Sequence, residues 1–222
     1  MVPFRDRRDA GRQLATRIQT EQLRRPLILA LPRGGVPVAF EVAQAIGAPL
    51  DVFVARKLGA PGHPELGIGA IAEGSDGFVM SATARELGVT RDELARQARH
   101  EQRELERRVA RYRGGRLLPD MAGRDVIVVD DGLATGVTAE AALLALRTRN
   151  PGRLLLAVPV CAPDTGLRLT GAADRVVCVM APHDLRAVGL WYENFEPTSD
   201  VQVIQLLDHA RALFAGVARR AR

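Results

Sequence analysis

The sequence contains few of the residues that mark specialised classes of protein. It has two cysteines and one tryptophan among 222 residues, and aromatic side chains make up 4% of the chain. No apolar run approaches the roughly 18 to 20 residues that cross a bilayer, so we expect no membrane span. The N-terminus, Met1 to Arg12, is charged and lacks the apolar centre of a signal peptide, which predicts a cytoplasmic protein.

The cysteines and the charge balance narrow the chemistry further. Cys161 and Cys178 lie in or beside apolar runs and have no CxxC or histidine spacing around them, which makes a poor metal site and predicts buried free thiols. The net charge is +5 and the sequence pI is about 10.1. A basic balance suits contact with nucleic acid, and it equally suits a small, strongly anionic substrate.

Apolar runs and helical periods alternate along most of the chain, which predicts an α/β fold with a mainly parallel open sheet flanked by helices. Predicted strands cover 26–31, 51–55, 126–129, 153–160 and 175–180, and predicted helices cover 6–20, 36–46, 90–113, 138–147, 165–169 and 199–214. The glycine-rich segment 58–77 has little periodicity, so we expect a long irregular loop of the kind that forms lids, with short extended pieces near 68–72 and 78–80. We expect one domain over 1–222, with its core at about 25–180 and an aromatic tail and C-terminal helix over 181–222.

The segment 126–138 is the most informative part of the sequence. An apolar run that suits a strand buried on both faces ends in Asp130 and Asp131. Burial makes two carboxylates costly unless hydroxyls or a metal ion pair with them. Two glycines in the following loop allow tight turns, and Thr135 and Thr138 place hydroxyl donors beside the free amides of a helix start. Since such a helix start attracts phosphate, the segment predicts a site for a phosphorylated sugar.

A second loop, Arg33-Gly34-Gly35, follows the first predicted strand. Glycines allow exposed amides to approach an anion, and the arginine offers bidentate hydrogen bonds to phosphate oxygens. Arg56 and Lys57 end the second predicted strand and would add positive charge at the same edge of the sheet. Taken alone, the loop could also be an ordinary turn, and Arg56 and Lys57 could be an ordinary solvated basic pair. For each of them, the anion-binding and the structural interpretation both stay open.

Segment 126–138 resembles the phosphoribosyl diphosphate (PRPP) binding motif of type I phosphoribosyltransferases, in which an apolar run precedes two acids and a Thr-Gly-x-Thr loop. Three more stretches, 31–36, 65–70 and 191–195, resemble a little-characterised bacterial branch of that family. Together the matches cover nearly the whole chain. The resemblance implies the family's fold, with a small hood from the N- and C-terminal segments and an inserted long helix.

The resemblance also implies roles for individual residues. Asp130 and Asp131 would act as the catalytic acids that hold the ribose 2- and 3-hydroxyls, directly or through waters on a Mg²⁺ cofactor. The 5-phosphate would bind to Leu133, Ala134, Thr135, Gly136, Val137 and Thr138. Diphosphate would bind to Arg33, Gly34 and Gly35, with added positive charge from Arg56 and Lys57.

From this resemblance we expect a phosphoribosyltransferase that moves 5-phosphoribose from Mg-PRPP to a nucleobase or other nitrogen acceptor and releases diphosphate. Ala134 stands where the 6-oxopurine enzymes have an acid, which argues against hypoxanthine-type chemistry. The run Ala134-Thr135-Gly136 is similar to the uracil branch, but three residues do not assign a base. Trp191 and Phe195 could stack on a flat acceptor or could form a hydrophobic cluster that holds the last helix.

Two other functions stay open. Family members with this fold act as PRPP-sensing regulators on nucleic acid, and the arginine-rich helix over 90–113 suits that role, although a salt-bridged solvated face explains the helix as well. The third function is a degenerate fold kept for partner binding, which predicts no affinity for PRPP. The sequence also leaves open whether the protein forms a homodimer.

Overall fold

A computed structural model describes residues 3–60, 63–75 and 77–220. Within these residues the strands are β1 (Leu27–Ala30), β2 (Leu50–Val52), β3 (Ala55–Ala60), β4 (His63–Ala72), β5 (Phe78–Met80), β6 (Asp125–Val129), β7 (Arg153–Val160) and β8 (Arg175–Met180). The helices are α1 (Arg7–Ile18), α2 (Gly35–Ile46), α3 (Ala82–Glu86), α4 (Arg91–Arg113), α5 (Val137–Arg147), α6 (Pro163–Leu169) and α7 (Asp200–Arg220), with a 3-10 turn at Val188–Trp191.

The centre of the fold is a five-stranded sheet in the order β2-β1-β6-β7-β8, and every neighbouring pair in it is parallel. In β1, Leu27 and Leu29 point into one hydrophobic core, which α5 covers, while Ile28 and Ala30 point into the other, which α1, α2 and α7 cover. Both faces are buried, which explains the continuous apolar runs. The predicted parallel sheet flanked by helices is confirmed.

The inserted helix α4 begins where its sequence predicts. Thr90 caps it with a reciprocal capping box, in which Thr90 accepts from the amide of Glu93 and the Glu93 carboxylate accepts from the amide of Thr90. Gly114 ends the helix in the left-handed conformation, with φ of 58°. All the helices predicted from the sequence are present, and α3 is an additional one.

The prediction of a long irregular loop over 58–77 is wrong for most of that segment, although the extended pieces expected near 68–72 and 78–80 coincide with the end of β4 and with β5. The chain leaves the parallel sheet after β2, and β3, β4 and β5 pair as a separate antiparallel sheet. Gly69 serves packing in a strand: a Cβ on it would lie 2.5 Å from the carbonyl oxygen of Val79 and 3.0 Å from Leu94 on α4. At this position glycine marks close packing between strands and a helix, and it does not mark a loop.

Buried charges join this antiparallel sheet to the parallel one. Arg113, the last residue of α4, donates from Nη2 to Glu73 Oε1 at 2.7 Å and to the carbonyl oxygen of Val52 at 3.0 Å. Its Nε lies 3.8 Å from Asp51 Oδ1. Burial raises the pKa of Glu73, and the Arg113 charge opposes that rise. The cluster links the end of β2, the end of β4 and the last turn of α4.

The N-terminal segment and the aromatic tail pair with each other. The amide of Phe4 donates to the carbonyl oxygen of Trp191 at 2.9 Å, and the amide of Glu193 donates to the carbonyl oxygen of Phe4 at 2.8 Å. The rings of Phe4 and Tyr192 lie 5.4 Å apart. Residues 3–7 and 191–198 are called the hood below.

Both cysteines are free thiols, as predicted, with Cys161 buried and Cys178 partly exposed. No helix among residues 3–60, 63–75 and 77–220 is long and apolar enough to cross a membrane.

Candidate functional site

Asp130 and Asp131 follow β6 directly and lie at the carboxyl edge of the parallel sheet, where open α/β sheets bind ligands. Asp130 Oδ1 accepts a hydrogen bond from the Asp131 amide at 2.9 Å, and Asp131 Oδ2 accepts one from Arg7 Nε at 2.8 Å. Within the part of the chain that the structure describes, the other oxygen of each carboxylate accepts no hydrogen bond. Each acid therefore has one oxygen held by the protein and one oxygen left for a ligand.

The surroundings of this acid pair compensate its negative charge only in part. Burial raises the pKa of Asp130 well above its ordinary value, and the neighbouring charge of Asp131 raises it further. Burial also raises the pKa of Asp131, while the Arg7 guanidinium opposes that rise. A cation or hydroxyl donors placed at the two open oxygens would favour the ionised forms.

The Arg33-Gly34-Gly35 loop packs directly against the acid pair. A Cβ on Gly34 would lie 1.9 Å from Asp131 Oδ2, and a Cβ on Gly35 would lie 2.6 Å from the carbonyl oxygen of Val129. Only residues without a side chain allow this approach. The structure thus brings together the two loops that the sequence singles out.

Arg33 itself is less firmly held than the glycines that follow it. Its peptide bond with Pro32 is cis. Its side chain is 41% exposed, and Nη1 lies 3.8 Å from Oδ1 of Asp200 at the start of α7. Asp200 also accepts a hydrogen bond from the hydroxyl of Tyr112 at 2.6 Å. The guanidinium is therefore accessible to an anion at the edge of the loop.

Gly136 ends the loop that follows the acid pair and directly precedes α5. It has a φ of 69°, in the left-handed region that favours glycine, and no side chain caps the helix that begins at Val137. Val137 is buried and anchors the turn, while Thr138 is partly exposed. Since the first amides of a helix have no intrahelical acceptor, this end can bind an anion.

The carbonyl groups of the same loop are turned toward α6. Ala134 O accepts from Thr165 Oγ1 at 2.7 Å, and Thr135 O accepts from Arg168 Nη2 at 2.6 Å. Leu133 is buried and forms a parallel bridge with the residue after β7. These contacts hold the loop against α6 and occupy two of its carbonyl oxygens.

Sequence reasoning does not identify Arg7, Tyr192 or Arg168 as site residues. Arg7 reaches Asp131 across 124 positions, and the hydroxyl of Tyr192 donates to the carbonyl oxygen of Asp131 at 2.5 Å. Nothing in the local sequence of α1 indicates that its first arginine turns inward. Tyr192 lies within the Trp-Tyr-x-x-Phe stretch, which is the one signal that points to it.

The expectation that Arg56 and Lys57 end the second parallel strand is wrong, because the chain has already turned into the antiparallel sheet. Both residues lie in β3. Arg56 donates from Nε to Glu101 of α4 at 2.9 Å, and the Lys57 stem lies beside Gly67 of β4. The structure therefore does not place this pair at the carboxyl edge through a parallel strand.

Trp191 and Phe195 occupy different surroundings. Trp191 lines a surface cleft together with Pro3, Asp184, Arg186 and Leu190. The Phe195 ring lies 4.9 Å from that of Tyr192, and the guanidinium of Arg7 lies 3.8 Å from the centre of the Phe195 ring. In this structure the ring of Phe195 stacks on protein groups, in a cluster that holds the N-terminal segment and does not contain the last helix.

Comparison with known proteins agrees with this geometry. A family model described as phosphoribosyl transferase domain matches residues 6–193. A candidate phosphoribosyl transferase of Mycobacterium tuberculosis, Rv0571c, is 47% identical over 217 residues, which are 97% of this chain and 48% of that protein. MT0597, from another strain of the same species, gives the same values. The chain thus spans about half the length of the curated relatives it matches.

A solved structure covers the same length as this chain. The crystal structure of TT1426 from Thermus thermophilus is 42% identical, with a TM-score of 0.77, and the match covers 93% of this chain and 98% of that one. The family model spans most of the chain, including both loops and the acid pair. The chain therefore belongs to the phosphoribosyl transferase domain family.

Proposed function

We propose that this protein binds Mg-PRPP and transfers its 5-phosphoribose to a nucleobase or another nitrogen acceptor, with release of diphosphate. One observation carries the proposal. Two carboxylates, each with one oxygen that accepts no hydrogen bond from the described residues, pack against a glycine loop and precede an uncapped helix start in the chain. That arrangement suits a sugar diol that carries phosphate groups at both ends.

The acid pair would hold the ribose. Asp130 Oδ2 and Asp131 Oδ1 would accept hydrogen bonds from the ribose hydroxyls or from waters on Mg²⁺. The donor set fits this ion, because Mg²⁺ prefers hard oxygen ligands and is commonly bound through one or two carboxylates together with substrate phosphates. When bound, Mg²⁺ would neutralise charge on the leaving diphosphate. The acids hold the donor and do not attack it.

The two loops would hold the phosphates at the ends of the donor. The first amides of α5 and the hydroxyls of Thr135 and Thr138 would bind the 5-phosphate. Arg33 and the amide of Gly34 would bind diphosphate, whose negative charge grows as the bond to ribose C1 breaks, while the amide of Gly35 already donates to the carbonyl oxygen of Leu31 at 3.1 Å. Such a reaction depends mainly on positioning and charge stabilisation, which fixed backbone amides supply at little cost in reorganisation.

The acceptor stays unassigned within the class of nitrogen nucleophiles. Ala134 offers no carboxylate to a purine, and its carbonyl oxygen is already bound to Thr165. We therefore leave 6-oxopurines out of the proposal. The cleft beside Trp191 is a candidate position for a flat acceptor, while Phe195 is engaged with Arg7.

Some of the arginine charge on and beside α4 is held in ion pairs, which weakens the case for a regulator that binds nucleic acid. Arg107 and Arg108 both donate to Glu104 on the same helix, and Arg56 of β3 pairs with Glu101. Ion pairs of this kind reduce the charge that a nucleic-acid backbone would meet. A PRPP-sensing regulator is therefore an outcome of the experiment below and not a second proposal.

The test combines calorimetry with a turnover screen. Mg-PRPP is titrated into the protein, and diphosphate release is then measured over a panel of nucleobases and small amines. Binding followed by release with one acceptor class supports the proposal. Binding without diphosphate release for any acceptor in the panel would favour the regulator. A salt-dependent affinity for nucleic acid that changes when PRPP is added would then confirm that function. Absence of Mg-PRPP binding would overturn both and favour a degenerate fold.

A further inference from the structure

We propose that Arg7 is a positioning residue for the sugar donor. Its guanidinium holds Asp131 by Oδ2 and so leaves Oδ1 turned toward the ligand. This inference rests on the proposed function, and it adds a residue from the hood to the two loops that the sequence singles out.

The side chain of Arg7 is fixed by three contacts. Nε donates to Asp131 Oδ2 at 2.8 Å, Nη1 donates to the carbonyl oxygen of Glu196 at 2.7 Å, and the guanidinium stacks on Phe195 at 3.8 Å. Only 11% of this side chain is exposed. An arginine on the first turn of a helix is normally solvated, so burial with three partners indicates a specific task.

Asp131 is held from the hood at both its side chain and its backbone. Arg7 binds the carboxylate, and the hydroxyl of Tyr192 donates to the Asp131 carbonyl oxygen. Gly34, which has no side chain, packs against the same carboxylate. With Oδ2 fixed in this manner, the direction of Oδ1 is fixed as well.

Arg7 leaves the acid able to bind a ligand. A carboxylate has about four acceptor positions on its two oxygens, and the Arg7 guanidinium uses one of them through Nε alone. A ribose hydroxyl or a hydrated cation can approach Oδ1 while this contact persists. The arrangement matches that of outer residues that orient metal-binding carboxylates.

The neighbouring residue provides a matched control. Arg8 lies one position along α1, but its side chain is 62% exposed and donates to Glu41 of α2 at 2.7 Å. Replacement of either arginine by methionine removes one charge from the same helix turn. Only replacement of Arg7 removes the contact to Asp131.

Calorimetric titration with Mg-PRPP compares the variants. We expect Arg7→Met to weaken binding by roughly tenfold to thirtyfold, as loss of an orienting outer residue does at metal sites, and Arg8→Met to change it by less than about twofold. Arg7→Lys should recover part of the loss, since it restores the charge without the planar fork. Thermal denaturation of each variant verifies that it is folded, and Arg7→Lys provides the test if Arg7→Met does not fold.

A double-mutant cycle separates positioning from a general structural role. In the Asp131→Asn background, Arg7→Met should weaken Mg-PRPP binding by less than about twofold, because the carboxylate through which Arg7 acts is gone. Equal losses in both backgrounds would overturn the proposal. So would an Arg7→Met or Arg7→Lys variant that binds Mg-PRPP as tightly as the wild type or more tightly. Failure of the wild type to bind Mg-PRPP would instead overturn the proposed function.

Discussion

The two loops that meet at the carboxyl edge differ in how the rest of the protein holds them. The acid pair after β6 is partly buried, and Arg7 and Tyr192 fix Asp131 from the hood. Arg33, in the loop after β1, has a side chain that is 41% exposed and lies 3.8 Å from Asp200, beyond hydrogen-bonding distance. One half of the site is arranged before a ligand arrives, and the other is only partly arranged.

This difference predicts unequal contributions to binding. Groups that are already ordered lose little conformational freedom when a ligand binds, whereas an exposed arginine must give up rotamer freedom and its contact with water. The ribose side should therefore account for most of the affinity for the donor. Arg33 should contribute less, and mainly to ligands that carry diphosphate.

The largest effect should come from the acid that lacks a cationic partner. We expect Asp130→Asn to weaken Mg-PRPP binding by roughly 100-fold. A hydrogen bond to a charged group contributes about 1.5 to 3 kcal/mol, and the substitution also removes the negative charge that attracts Mg²⁺. The midpoint of thermal unfolding should stay the same or rise, because burial raises the pKa of this carboxyl and its charge is costly in the fold. Asp208→Asn, at an exposed acid on α7, is the control. Unchanged affinity in calorimetry would remove the acid pair from the proposed site.

A smaller loss should follow from a methyl group placed between the loops. Gly34→Ala puts a Cβ within 1.9 Å of the present position of Asp131 Oδ2, so the carboxylate must leave its place beside Arg7. We expect roughly 10- to 30-fold weaker Mg-PRPP binding, as for loss of carboxylate orientation. Gly77→Ala, at a glycine with open space around it, should bind normally. If Gly34→Ala also binds normally, the contact between the two loops has no part in donor binding.

The smallest effect should come from the exposed arginine. We expect Arg33→Ala to weaken diphosphate binding by about fivefold to tenfold and binding of ribose 5-phosphate by less than about twofold, since an exposed charge contributes on the order of 1 kcal/mol. Arg147→Ala removes a similarly exposed arginine, 42% accessible, that pairs with Asp174 away from this site. Equal losses for the two ligands in calorimetry would refute the division of the site into a ribose side and a diphosphate side.

The parts of the fold that follow from local patterns could be predicted from the sequence. The apolar run into Asp130, the capping box at Thr90 and the alternation of strands with helices each depend on neighbours within a few residues. The two loops could be paired for a similar reason, because the carboxyl ends of neighbouring parallel strands share one edge of a sheet.

Other features depend on contacts that no local pattern records. In the sequence, Gly69 is one of several glycines that indicate a loop. In the structure, the neighbouring strand and α4 fill the space that a side chain at this position would need. Because that segment forms strands, Arg56 faces Glu101 and does not end a parallel strand. Arg7 reaches the site across 124 positions, so its role depends on where the whole of α1 packs.

The buried cluster around Arg113 limits how the molecule can open. A rotation of the antiparallel sheet away from β2 would separate Arg113 from Glu73 and from the carbonyl oxygen of Val52, and leaving a buried charge without its partner typically costs about 3 to 5 kcal/mol. The antiparallel sheet and the end of β2 should therefore move as one block, with no hinge between them. A ligand that needs a wider entrance would therefore have to obtain it without separating these two parts of the fold.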